Sequence, residues 1–169
     1  MKFRALLAGA MLATLFGGQA HAVRIANDKG GQIGPYLDAF LNIRNNTAEQ
    51  VIIDGPCLSA CTIVLGIIPR ERLCVTKRAQ FGFHAAWNPG RDGRPVLSQA
   101  GTKALWDLYP GEVRAWLKKK GGLKPQMVIL SGPELMAMYP ACGDDQPRAR
   151  NQTAPAIKPP HNATTAIAR

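Results

Sequence analysis

Histidine and serine are scarce in this chain of 169 residues. Between residues 23 and 145 stand one histidine, His84, and three serines, Ser59, Ser98 and Ser131. Because Cys57 and Cys61 also lack a second closely spaced Cys/His pair, zinc is a poor alternative for the cysteines, and no metal is expected. A Gly-Lys-Ser/Thr phosphate loop is missing too; that excludes a nucleotide site of this type, and nothing else calls for a cofactor. The longest apolar run, Ala5 to Phe16, falls short of the ~20 residues that span a bilayer. Acidic groups are the last shortage: 11 Asp+Glu face 21 Lys+Arg, a formal net charge of +10.

The basic excess is mostly terminal. Residues 1–22 carry Lys2 and Arg4, the apolar run, and then Ala20-His21-Ala22, the small-x-small pattern of a signal peptidase site. They read as a signal peptide rather than an uncleaved anchor, because small residues follow where an anchor would continue apolar. The protein is therefore expected to be periplasmic or secreted, with no transmembrane segment after cleavage. Residues 146–169 hold four basic and no acidic side chains, four prolines and few large apolar groups, so they are expected to form a disordered basic tail. Setting both ends aside leaves 15 basic against 11 acidic side chains, +4, on residues 23–145. These ~120 residues are enough for one small domain. Nucleic-acid binders gather Lys/Arg beside base-reading or aromatic side chains. Lys118-Lys119-Lys120 instead closes a helix-like segment before Gly121-Gly122, where cations complement a helix dipole, and no nucleic-acid partner is expected.

All four cysteines, Cys57, Cys61, Cys74 and Cys142, fall in the expected exported part, where disulfides persist. Four cysteines allow three connectivities, and the spacing does not choose among them.

Along residues 23–145, strand candidates at Val23–Ala26, Gln50–Ile53, Arg72–Val75, Gln80–Phe83 and Met127–Leu130 alternate with helical spacing. Ile33, Tyr36, Leu37, Phe40 and Leu41 predict a helix over 33–44, ended by Asn45-Asn46. Ser59 opens an apolar stretch through Ile68 that predicts a buried helix, and residues 85–95 read as a Gly/Pro-containing loop. Residues 99–119 predict two helices, or one broken at Pro110-Gly111, and Ser131 to Glu134 has capping-box spacing. This alternation predicts an α/β layered fold.

Ser59 follows a buried strand and a Gly-Pro turn, which would put its hydroxyl among the unpaired N–H groups at a helix start. A nucleophilic serine needs a base in reach and two donors aimed at the developing charge. His84, at a strand end, can be the base; the N–H of Ala60 and one from Gly30-Gly31 can be the donors. Otherwise Ser59 is an N-cap and His84 a packed or surface side chain.

The segments 25–33 (Ile-Ala-Asn-Asp-Lys-Gly-Gly-Gln-Ile), 55–61 (Gly-Pro-Cys-Leu-Ser-Ala-Cys) and Phe83-His84 together resemble the Clp protease proteolytic subunit and its relatives in the ClpP/crotonase superfamily. The resemblance covers about residues 25 to 140, and the ordered set Gly-Gly, Ser, His is more specific than any one member. It implies a small ClpP/crotonase-like layered fold with a truncated N-terminal unit, since the family's first strand and helix have no counterpart. It also implies Ser59 as nucleophile, His84 as base 25 residues later, and Gly31 and Ala60 as oxyanion donors. The family's acid falls near Met127, where residues 126–129 offer no carboxylate. Glu134, Asp107, Asp54 or a backbone carbonyl stay open as its replacement. Cys57 and Cys61 read either as small buried hydrophobes or as a pair stapled to Cys74 and Cys142.

The expectation is an exported serine hydrolase of peptidase type, acting on a peptide or acyl substrate and open to homo-oligomer formation. The alternatives are a degenerate peptide- or acyl-binding module of the same fold and a disulfide-stabilised structural protein.

Overall fold

The computed structural model describes residues 22–46 and 49–143; the expected leader up to residue 21 and the expected basic tail lie outside them. Strand β1 (Ala22–Ile25), helix α1 (Ile33–Asn46) and strand β2 (Gln50–Ile53) form a parallel β-α-β unit. Strand β4 (Leu73–Val75) adds a third parallel strand, in the order β1-β2-β4. Val51, Ile52 and Ile53 are buried on both faces, as a β-branched run in a covered parallel sheet should be. Helix α1 turns Tyr36 and Phe40, one turn apart, into the core and ends at the paired asparagines.

A second sheet is built from β3 (Pro56–Leu58), β5 (Gln80–Phe83) and β8 (Val128–Ser131); β3 and β5 run parallel, and β8 pairs antiparallel with β5. The chain passes from the first sheet to the second twice, from β2 to β3 through Asp54-Gly55 and from β4 to β5 through residues 76–79. Gly55 is needed at the first passage because a side chain there would run into the Ala26 carbonyl. Asp54 fastens both passages: it accepts from Arg24 of β1 at 2.7 Å, from Thr76 at 2.8 Å and from Arg78 at 2.5 Å. Burial alone would raise its carboxyl, but the bonds from Arg78, Thr76 and Arg24 outweigh that and hold it below the usual carboxylate range.

Two helices, α3 (Gln99–Leu108) and α4 (Gly111–Lys119), flank Pro110, so the chain breaks where proline removes a donor. Their Tyr109 and Trp116 close over Phe83 at ring centroid distances of 5.2 and 5.9 Å, which anchors the end of β5 in an aromatic core.

Several expectations are corrected. The stretch opened by Ser59 is no continuous helix but a 3₁₀ turn (Ser59–Ile63) followed by one short α-turn, α2 (Val64–Ile67). Cys57 at the middle of β3 and Cys61 inside the turn are bonded to each other, so the disulfide lies across Ser59. Cys74 and Cys142 form the second disulfide, so the two pairs are not stapled to one another. Residues 85–95 are not all loop: β6 (Trp87–Pro89) and β7 (Pro95–Leu97) form an exposed hairpin. Ser131 precedes α5 (Gly132–Met138) without a side-chain cap bond, so the capping box does not close.

The disulfides differ in reach. In the chain-entropy account, closing the 68-residue separation between Cys74 and Cys142 is worth about 4 kcal/mol, and the separation of 4 between Cys57 and Cys61 about 2 kcal/mol. Urea unfolding should therefore show a larger loss for Cys74→Ala/Cys142→Ala than for Cys57→Ala/Cys61→Ala. Asp54→Asn should lower stability at pH 7 by about 2 kcal/mol, since it leaves two guanidinium groups unpaired. The Asp54 carboxyl is depressed in the folded state, so its contribution is full above the unfolded value of ~3.9 and vanishes as pH falls through the folded one. Unfolding curves for the two proteins should accordingly converge at the acid end of a titration.

Candidate functional site

Three neighbouring chain segments run side by side and present their following residues at one edge. Asp28 pairs with Cys57 in a parallel bridge, and Cys57 of β3 pairs with Phe81 of β5. The residues beyond these pairings are Gly30-Gly31, Ser59-Ala60 and His84, so the topology gathers what lies far apart in sequence. Carboxyl ends of parallel strands are a common place for such groups, because the rigid sheet fixes the loops that leave it.

The Gly30-Gly31 turn is held by Asp28. The carboxylate of Asp28 accepts from the Gly30 N–H at 2.8 Å and from the Tyr36 hydroxyl of α1. Burial, with the bond to Asp28 and its charge, pushes the Tyr36 hydroxyl well above its usual range, so it stays a donor. Gly30 has φ +80°, and a Cβ there would lie 2.6 Å from the Ser59 Cβ and 2.9 Å from the Ala60 nitrogen. Only glycine lets this turn lie against the Ser59 turn.

Ser59 has φ +55°, the one non-glycine residue with positive φ among the described residues. The left-handed conformation costs an L-residue ~1–2 kcal/mol. Neighbours hold it there. The Cys57–Cys61 disulfide spans it, and the Thr62 hydroxyl, with Tyr109 Oη at 2.7 Å, donates to the Ser59 carbonyl at 2.6 Å. Burial raises the Tyr109 hydroxyl to about 12, so this partner also stays neutral. A strained turn between a strand and a helical turn lifts the side chain clear of both.

The Ser59 Oγ lies 2.8 Å from His84 Nε2, and His84 Nδ1 lies 2.7 Å from the Ala85 carbonyl oxygen. A carbonyl can only accept, so Nδ1 carries the proton and donates it. Nε2 then presents its lone pair to the Ser59 hydroxyl, which donates. This is the tautomer in which a histidine can take a hydroxyl proton. The expected position of Ala60, second in the 3₁₀ turn, leaves its N–H among the unsatisfied first donors. Gly31 is exposed at the same edge, beside Gly30.

None of the three carboxylates left open as replacement acid is paired with His84. Asp54 is engaged by Arg24 and Arg78, Asp107 by Lys103, and Glu134 by Lys120. Met127 instead packs near Gly82 on β5, where a side chain would meet its sulfur. A cleft of about 460 Å³ opens beside Ala85, walled by Leu97, Ser98, Thr102, Trp106 and Leu123. Helix α3 lines it, and Trp87 is not among its walls. Sequence reading missed Asp28, Thr62 and Thr102 as parts of this edge. For Asp28 a signal existed, an aspartate two residues before a glycine in a turn.

No protein-family model matches the chain, and no curated protein matches it. Among solved structures it is similar to a mutant of ClpP1 from Listeria monocytogenes, at 14% sequence identity over 70% of this chain and 68% of that chain, with a TM-score of 0.42.

The strain at Ser59 can be measured. Ser59→Gly should be more stable than Ser59→Ala by about 1 kcal/mol, because both lose the hydroxyl that meets His84 and only glycine takes positive φ freely. Thermal and urea unfolding check it, and an alanine variant as stable as the glycine one would show that the left-handed turn carries no strain.

Proposed function

We propose that the chain is an exported serine hydrolase of peptidase type, of the ClpP/crotonase kind its sequence resembles. The observation that carries this reading is the 2.8 Å contact of Ser59 with a His84 whose other nitrogen is bound by a carbonyl. In the proposed reaction Ser59 Oγ attacks the acyl carbon while its proton passes to His84 Nε2. The N–H groups of Gly31 and Ala60 hold the oxyanion. His84 then gives the proton to the leaving amine or alcohol, and an acyl-serine ester remains. A water that surrenders a proton to His84 hydrolyses the ester and restores Ser59. The apolar cleft beside Ala85 suits an acyl or peptide side chain. Export fits two disulfides, which persist in oxidising compartments. Self-association belongs to the same proposal, with exposed Trp87, Val96 and Leu97 of the hairpin as its apolar surface.

One observation favours a second reading, a degenerate peptide- or acyl-binding module: no carboxylate contacts His84 among the described residues. Replacing the acid of a serine-protease triad by asparagine costs ~10⁴ in rate, so the hydrolase is expected to be slow.

Labelling of the oxidised full chain with a fluorophosphonate, read by intact mass, separates the two. A single adduct that disappears in Ser59→Ala and in His84→Ala is the expected result. No adduct on folded protein with both disulfides intact would sink the hydrolase reading and leave the binding module.

A further inference from the structure

Resting on that acyl-transfer reading, we propose that Thr102 is a positioning residue: it holds the Ala85–Ala86 peptide so that the Ala85 carbonyl stands in for the missing triad carboxylate. The carbonyl that accepts from His84 Nδ1 belongs to the same peptide unit as the Ala86 N–H. That N–H donates to Thr102 Oγ1 at 3.0 Å. The Thr102 hydroxyl spends its own proton on the Ser98 carbonyl at 2.7 Å, one turn back in α3, which leaves its lone pairs for Ala86. The Ser98 N–H donates to the Ala86 carbonyl at 2.8 Å, and the Ala85 N–H donates to the Lys124 carbonyl at 2.7 Å. The Ala85–Ala86 peptide is thus bonded by His84 at its carbonyl and by Thr102 at its N–H, and the two peptides that flank it are fixed by Lys124 and by Ser98.

Two physical effects follow from this grip. A peptide plane bonded at both ends cannot rotate its carbonyl away from the imidazole. A peptide whose N–H donates also carries more negative charge on its oxygen, because hydrogen bonds in a chain polarise one another. The run from Ser59 through His84, the Ala85–Ala86 peptide and Thr102 to Ser98 is such a chain, and its far end sits on a helix. Threonine suits the position because one hydroxyl both donates to the helix and accepts from the peptide; serine does the same, and valine, of the same shape, does neither.

The bland account of Thr102 is that it merely satisfies a stray N–H at the entry to α3. The tautomer of His84 distinguishes the two. In the full chain labelled with ¹⁵N-histidine and both disulfides intact, the His84 signal is assigned by its loss in His84→Ala. The wild type should show the Nδ1–H form; an Nε2–H form would overturn the proposal outright, whatever any variant does. Thr102→Val should give a mixture of the two tautomers and slow fluorophosphonate labelling about tenfold, the net worth of one hydrogen bond. Thr102→Ser should restore both. A Thr102→Val protein that folds, keeps the tautomer and labels at the wild-type rate would also overturn it. If the tautomer moves in Thr102→Val but the wild type never labels, the grip stands and the hydrolase reading falls.

Discussion

The left-handed backbone of Ser59 is the constraint on which the rest of this edge depends. At φ +55° the residue sends its hydroxyl to His84 and its carbonyl to Thr62. In an extended or right-handed conformation one of these partners would be lost. Nothing local in serine favours that state, so the fold supplies what holds it: a disulfide across the turn, a buried threonine hydroxyl, and a glycine with no side chain to push it away. The disulfide contributes more to this turn than to the whole molecule, because a bond between residues four apart restricts the unfolded chain little.

The histidine is oriented by a neutral group. A carbonyl fixes the tautomer as a carboxylate does, through one accepted hydrogen bond, but brings no full charge to face an imidazolium. Orientation and charge compensation, joined in one side chain where an aspartate is present, are separated here. The orienting group is backbone, so its geometry is set by the residues that grip the peptide rather than by a rotamer.

Much of this was legible in the sequence where periodicity and residue type agreed. The Val51–Ile53 strand, the Tyr36/Phe40 face of α1 and the break at Pro110 are each dictated by a local rule. Ser59 and His84 stood out because so few other serines and histidines compete with them. What escaped was set by tertiary contact. The apolar run after Ser59 has no feature that separates a 3₁₀ turn from an α-helix, and the Cys57–Cys61 bond that lies across its start is one the spacing did not choose. The hairpin of Trp87–Pro89 and Pro95–Leu97 has prolines at its loop ends and both faces exposed, so it lacks the alternation that marks a half-buried strand. Which backbone carbonyl faces His84 Nδ1 could not be read, because a carbonyl has no residue type.

For a chain exported as proposed, the pairing of the cysteines has a further consequence during biosynthesis. Of the three possible connectivities, Cys57–Cys61 and Cys74–Cys142 is the one that joins each cysteine to its neighbour in the chain. A polypeptide that enters an oxidising space from its amino end offers its thiols in that same order. The first pair can close as soon as it emerges, before any competing thiol has arrived, and the second must wait for residue 142. An oxidase that simply joins thiols as they appear therefore reaches the native pattern without thiol–disulfide reshuffling, and the turn that holds Ser59 is cross-linked before the remainder of the domain has been delivered.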